Sequence, residues 1–259
     1  MTQFSELAGN LEDILKLKFP VIGMKLVESA DDLERVPRLR RPKAIHTLDQ
    51  VVGQATRLGW TVWVTVEDLI GEQCGNVVGL GSASDEWKTG KHMTGVWYAT
   101  VEDATRHQAA LHRVPPGRYQ ALIVAPLRKW SGEESDVLGV PRIALFYATP
   151  GAMMYFINGL QWTDYKRFDW SVVGETACAD AWGRALQTGE PSLSIPCFAE
   201  RRYGGVLDEE MLMALVPGDI AKAIDGMQAL ARNGLRYPFP SYGIQMDVRE
   251  GMGVSYPGG

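Results

Sequence analysis

The sequence predicts an α/β or α+β fold, a mixed β-sheet with flanking helices that is not a standard Rossmann arrangement. Three observations predict it. Strand-like and helical segments mostly alternate along the chain, but at irregular spacing. No internal similarity recurs at the roughly 20–50-residue periods of solenoids and propellers. The chain has 259 residues, 46% of them hydrophobic. A chain of this size buries roughly 70–75% of its unfolded surface, so it needs no disulfide to hold together.

The elements follow in order. Phe4, Leu7, Ala8, Leu11, Ile14 and Leu15 recur at helical spacing, with polar residues between them. This pattern predicts an N-terminal helix that packs on the body, not a signal peptide. Val21 to Val27 reads as a buried strand after Pro20. A helix runs from Asp49 to Leu58 and stops at Gly59. The alternating, β-rich Thr61–Val66 run is the clearest strand, followed by a glycine-punctuated loop from Glu67 to Gly81 that carries Cys74. Thr100 caps a helix with Glu102 and Asp103 in its first turn, where the helix dipole favours acids.

Gln120–Leu127 and Ile143–Ala148 read as strands, and Pro150-Gly151 opens a Met- and aromatic-rich helix to Trp162. A strand is expected at Phe168–Val173, then a helix from Glu175 to Gln187 closed by Gly189. Glu210–Val216 fits strand or helix. Asp219 is expected to cap a last helix with Ile220, Ala223, Ile224, Met227 and Leu230 on its apolar face. Residues 1–236 form one globular domain or two closely joined lobes, and 237–259 form a Pro-, Gly- and Tyr-rich tail.

Composition excludes several function classes. A formal net charge of −5 argues against general nucleic-acid binding, which relies on Lys and Arg at phosphates. The longest apolar runs fall far short of the ~20 residues needed to span a bilayer. Three cysteines, none in a C-x-x-C pair, do not make a secreted disulfide framework. The expected setting is cytoplasmic and the expected partner a small molecule, with homo-oligomerisation left open. Arg35, Arg38, Arg40, Arg41 and Lys43 form either a solvated loop or a collar for an anionic substrate.

Standard catalytic motifs are missing. Gly75, Gly79 and Gly81 lack G-x-G-x-x-G spacing, and Thr89-Gly90-Lys91 lacks the rest of a P-loop. No H-E-x-x-H or G-x-S-x-G occurs, and His107 and His112 lie five apart, on different helix faces. Most of the eight tryptophans are expected in the core, with a subset able to line a pocket for an aromatic ligand. Isolated cysteines usually act as small buried hydrophobes. Cys178, in the first turn of its expected helix, is also a candidate low-pKa nucleophile.

Several segments carry a family resemblance over most of the chain. They are Phe19-Pro20-Val21-Ile22-Gly23-Met24-Lys25, Cys74 with Gly79-Leu80-Gly81, and Ala144-Leu145-Phe146-Tyr147 before Pro150. Cys178, Cys197 with Arg201, and Met213-Ala214-Leu215-Val216-Pro217 complete the set. Together they resemble the uncharacterised archaeal conserved region family, domain of unknown function number 169. The resemblance implies that Cys74, Cys178 and Cys197 belong to a shared pattern. In many members that pattern includes a further cysteine before an Ala-x-x-x-Gly segment. Here Ala55 and Gly59 are present, but His46 and Asp49 stand upstream and no cysteine does.

Three cysteines without a fourth can hold a [4Fe–4S] cluster and leave one iron open as a Lewis acid. The preferred expectation is therefore an iron–sulfur lyase or hydrolase acting on a small carboxylated or aromatic substrate. Its metal ligands are Cys74, Cys178 and Cys197, its acid–base candidates Glu72, Glu175 and His46, and its substrate contacts Arg201, Arg202 and Trp182. The alternatives are a non-enzymatic small-molecule-binding or accessory protein with structural cysteines, and a metal-free cysteine-nucleophile enzyme.

Overall fold

Strands made almost wholly of apolar residues need cover on both faces, and the computed structural model supplies it around one sheet. It describes residues 3–31, 33–36, 38–131 and 138–239; most of the expected C-terminal tail lies outside them. The chain runs α1 (Gln3–Leu15), β1 (Ile22–Val27), α2 (Leu48–Leu58), β2 (Val62–Thr65), α3 (Glu72–Val77), α4 (Asp85–Lys88), α5 (Val101–Ala110) and β3 (Ala121–Pro126). It continues through β4 (Ile143–Ala148), α6 (Pro150–Leu160), a π-helical turn (Ala179–Gly183), α7 (Arg184–Thr188), β5 (Ser192–Ser194), α8 (Phe198–Arg202), β6 (Met211–Leu215) and α9 (Pro217–Arg232).

The six strands form one sheet in the order β2-β3-β1-β4-β6-β5. Every pairing between these strands is antiparallel. The parallel component of the expected mixed sheet is reduced to an isolated bridge between Arg40 and Val62 at the β2 edge. The fold is therefore α+β.

Side-chain alternation divides the sheet cleanly. Trp63, Ile123, Phe146 and Met213 face one layer, made by α1, α6 and α9. Val64, Val124, Tyr147 and Leu212 face the other, which holds α2 and the buried residues around Cys178. In the first layer α6 and α9 cross at backbone contact. A Cβ on Gly226 would lie 2.0 Å from the carbonyl oxygen of Gly159, so this crossing requires glycine. Among the described residues no helix is long and apolar enough to cross a membrane.

Local signals account for most element ends. Gly59 takes the left-handed conformation at the end of α2 (φ 67°), and the Thr100 hydroxyl accepts from the Asp103 N–H at the start of α5. Glu210–Val216 resolves as strand β6, inserted between β4 and β5.

Three expectations are corrected. The Glu67–Gly81 loop contains helix α3. Phe168–Val173 is not a strand: its two aromatic rings, Phe168 and Trp170, stack on each other at 5.2 Å, and the Trp170 indole donates to the Pro191 carbonyl at 2.9 Å. The cap of α9 is Val216, not Asp219. Pro217 at the first helical position presets the entry and leaves Asp219 in the first turn.

Candidate functional site

The second layer brings the three cysteines together with two buried acids, Asp49 and Glu200, and the half-buried Glu175, from separate segments. Asp49 lies in the first turn of α2, a position whose dipole favours a carboxylate, but its side chain is only 3% exposed. Cys74 is on the short helix α3, half-buried. Cys178 is fully buried and directly precedes the π-helical turn. Cys197 caps α8, where its N–H donates to Glu200 Oε2 at 3.0 Å. Helices α2 and α8 meet at a glycine contact that sets this spacing. A Cβ on Gly53 would lie 2.6 Å from the Gly204 carbonyl oxygen, and one on Gly204 would lie 2.9 Å from the Asp49 carbonyl oxygen. Small residues here are what let Asp49 and Glu200 share a pocket.

The sulfurs of Cys74 and Cys178 touch at 3.5 Å. Cys74 Sγ points to Asp49 Oδ2 at 4.0 Å. The Tyr147 hydroxyl, on β4, donates to Glu200 Oε1 at 3.3 Å. Thr176 just before Cys178 has a left-handed backbone (φ 59°), a costly conformation for a β-branched residue. Two partners hold it: Gln73 Nε2 donates to its hydroxyl at 3.1 Å, and His107 Nε2 lies 3.4 Å from the same oxygen. His107 is fixed in turn by the Tyr98 hydroxyl at 2.9 Å from Nδ1. A strained residue followed by a π-helical turn, the two flanking one thiol, is a combination common at functional sites.

The electrostatics of this group are one-sided. Burial pushes Asp49 up to about 6. Glu175 rises to about 7, through burial and then through Asp49. Glu200 rises to about 8 for the same two reasons. Contact with Cys74 and burial hold the Cys178 thiol well above its ordinary range. Burial, then Glu200 and Asp49, does the same for Cys197. Cys74 is also raised: its contact with Cys178 favours the thiolate, but burial and the charges of Asp49, Glu200 and Glu175 outweigh it. The low thiol pKa expected for Cys178 is therefore corrected, because contact with Cys74 and then burial override the helix start. Oδ1 of Asp49 and Oε2 of Glu175 are buried without a hydrogen-bond partner.

The other sequence candidates are dispersed. Glu72 begins α3 and accepts from the Ser84 N–H. His46 pairs through its backbone with Asp68 and Ile70, and its Nδ1 lies 2.6 Å from the Ala44 carbonyl. Arg201 donates to the Pro196 and Leu207 carbonyls and holds the α8 loop. Arg202 is exposed. Trp182 is fully buried in the wall behind Cys178. In the basic stretch, Arg41 pairs with Asp68 and Glu34, and Arg40 lies over Trp60. Of the tryptophans, Trp63, Trp130 and Trp182 are core. Trp97 is half-exposed and packs its ring 5.7 Å from Phe198, the residue after Cys197. Sequence reasoning missed Glu200 as a site residue. Its only local signal is its place three residues after the α8 cap, a capping-box position.

Among the described residues no three His, Cys, Asp or Glu side chains converge as the ligands of one metal ion would. The Cys178 thiol nonetheless lies close enough to Cys197 to be raised by it. Fold and site thus define an α+β single-sheet protein with a buried thiol–carboxylate centre. The chain belongs to the DUF169 family (Uncharacterised ArCR), whose model matches residues 10–226. It is also similar to uncharacterized protein MJ0308 of Methanocaldococcus jannaschii, with 22% identity over 237 residues, covering 87% of this chain and 95% of that protein. No solved structure matches the chain.

Proposed function

We propose that this protein is a cytoplasmic enzyme built on a [4Fe–4S] cluster held by Cys74, Cys178 and Cys197. Its reaction is a lyase or hydrolase step on a small substrate. The observation that carries the reading is the composition of the centre. Three thiols and three acids cluster together, the acids raise the thiols, Asp49 raises Glu175 and Glu200, and no cation leads the causes of any of their shifts. Burying so many acidic groups without a counter-charge is costly. A bound metal centre reverses this by stabilising the thiolates outright. The two partnerless carboxylate oxygens fit the same account. A cluster takes one thiolate per iron, so its ligands need not converge on a point, but the Cys74 and Cys178 sulfurs must part from their 3.5 Å contact to take separate irons.

When bound, such a cluster supplies an open iron that acts as a Lewis acid toward a substrate hydroxyl, carboxylate, thiol or halide. The chain's own residues supply the proton chemistry. Glu175, half-buried with a free oxygen and a pKa of about 7, can hold or release a proton near neutral pH. Glu200 and Tyr147 form a deeper proton-holding pair. Trp97 and Phe198 flank Cys197 with half-exposed rings that suit an aromatic group. Arg201 is occupied by backbone carbonyls, which favours an aromatic over a carboxylated substrate. A reducing compartment keeps three such cysteines free, and the net charge of −5 fits a small-molecule partner better than nucleic acid. Self-association into a homo-oligomer is compatible with this reading.

The test is anaerobic purification and reconstitution, followed by iron and sulfide analysis and a visible spectrum. About four irons per chain, lost from each single Cys→Ala variant at the three positions, is the expected result. Colourless, iron-free protein after reconstitution, or a Cys197→Ala variant that loads as fully as the parent, overturns the reading.

A further inference from the structure

Two of the three sulfurs are already partners. Cys74 and Cys178 are separated by 104 residues in sequence and by 3.5 Å in space. Their helix and π-turn pack against each other, and a disulfide bond requires the sulfurs to close to about 2.05 Å. Cys74 is the more accessible of the two; Cys178 is fully buried behind it. Asp49 Oδ2 sits on the Cys74 sulfur, and its other oxygen has no partner.

We propose that Cys74 and Cys178 are a redox-active dithiol that closes to an intramolecular disulfide. The oxidant is a small-molecule disulfide. Cys74 loses its proton to solvent and attacks one sulfur of the oxidant; the oxidant's S–S bond breaks and one thiolate leaves. Cys178 then attacks the Cys74 sulfur. The mixed S–S bond breaks, the Cys74–Cys178 bond forms, and a second small thiolate leaves with the Cys178 proton. The protein is oxidised by two electrons, and one disulfide is reduced to two thiols. The first small thiolate takes up a proton from solvent. This goes beyond the cluster reading. It requires no metal, and the disulfide and metal-bound states exclude each other because both use the same sulfurs.

The test uses the full chain, stripped of metal with a chelator, reduced, and then exposed to glutathione disulfide. Free thiols are alkylated and the protein is mapped by mass spectrometry. The expected product has lost two hydrogens, carries a Cys74–Cys178 cross-linked peptide, and is alkylated at Cys197. The Cys178→Ser variant should stop at a glutathione adduct on Cys74. Glutathione adducts without a cross-link, or a cross-link to Cys197, overturn the dithiol. Because the protein is metal-free throughout, failure here leaves the iron analysis above standing, and the reverse also holds.

Discussion

The buried acids make the metal-free protein's stability depend on pH with a defined sign. Glu200 is the cleanest case, because it is 1% exposed and rises from an ordinary 4.5 to about 8. A carboxyl whose folded pKa lies above its unfolded one binds its proton more tightly when folded. Its favourable contribution is complete below the unfolded pKa and is lost as pH rises through the folded one. At about 1.4 kcal/mol per pH unit, roughly 1 kcal/mol has been lost by about pH 5 and roughly 4 kcal/mol by about pH 8. Glu200 alone should therefore remove on the order of 3 kcal/mol between those two pH values, a large part of the ~5–15 kcal/mol typical of a domain. Asp49 and Glu175 act in the same direction. They are coupled to Glu200, so the three effects do not simply add. The assay is urea denaturation of reduced, metal-free protein at constant ionic strength. Glu200→Gln keeps an acceptor for the Cys197 N–H and should flatten the slope. Stability that is level or rising from about pH 5 to about pH 8, or an unchanged slope in Glu200→Gln, refutes the assignment.

Two further substitutions test the scaffold that holds the centre. Gly204→Ala would place a methyl 2.7 Å from the Glu200 carbonyl and 2.9 Å from that of Asp49. It should cost about 1–3 kcal/mol in denaturation and lower the apparent pKa values of both acids as α8 moves away from α2. The Arg57–Glu210 pair is bonded at 2.7 Å with side chains 14% and 5% exposed. Arg57→Met should cost about 3–5 kcal/mol by stranding Glu210, and a second substitution, Glu210→Met, should recover most of that loss.

The sheet was legible because its signal is local. The apolar runs in β1, β3 and β4, the Thr100 cap and the Gly59 stop depend on residues within a few positions of one another. Where the sequence misled, tertiary packing decided. Phe168–Val173 has strand-like aromatic spacing, but its rings stack on each other and it joins no sheet. Helix α3 is too short to show a helical period. Asp219 looks like a cap, but Pro217 two residues earlier already sets the helix entry.

The site was legible in its sulfurs and in Glu175, which stands three residues before Cys178. Family resemblance grouped Cys74, Cys178 and Cys197, and two of them do meet in the fold. The two fully buried acids beside them had no comparable mark. Asp49 reads as an ordinary first-turn helix acid, and Glu200 as half of a capping box. What sets them apart is depth, and depth here comes from the glycine contact that draws α2 and α8 together. Asp49 stands in the segment where the resemblance implies a further cysteine, and it sits 4.0 Å from the Cys74 sulfur. A carboxylate at that point keeps an anionic ligand-type group beside Cys74. It is the position from which one side chain would bear on both the proposed metal site and the proposed dithiol.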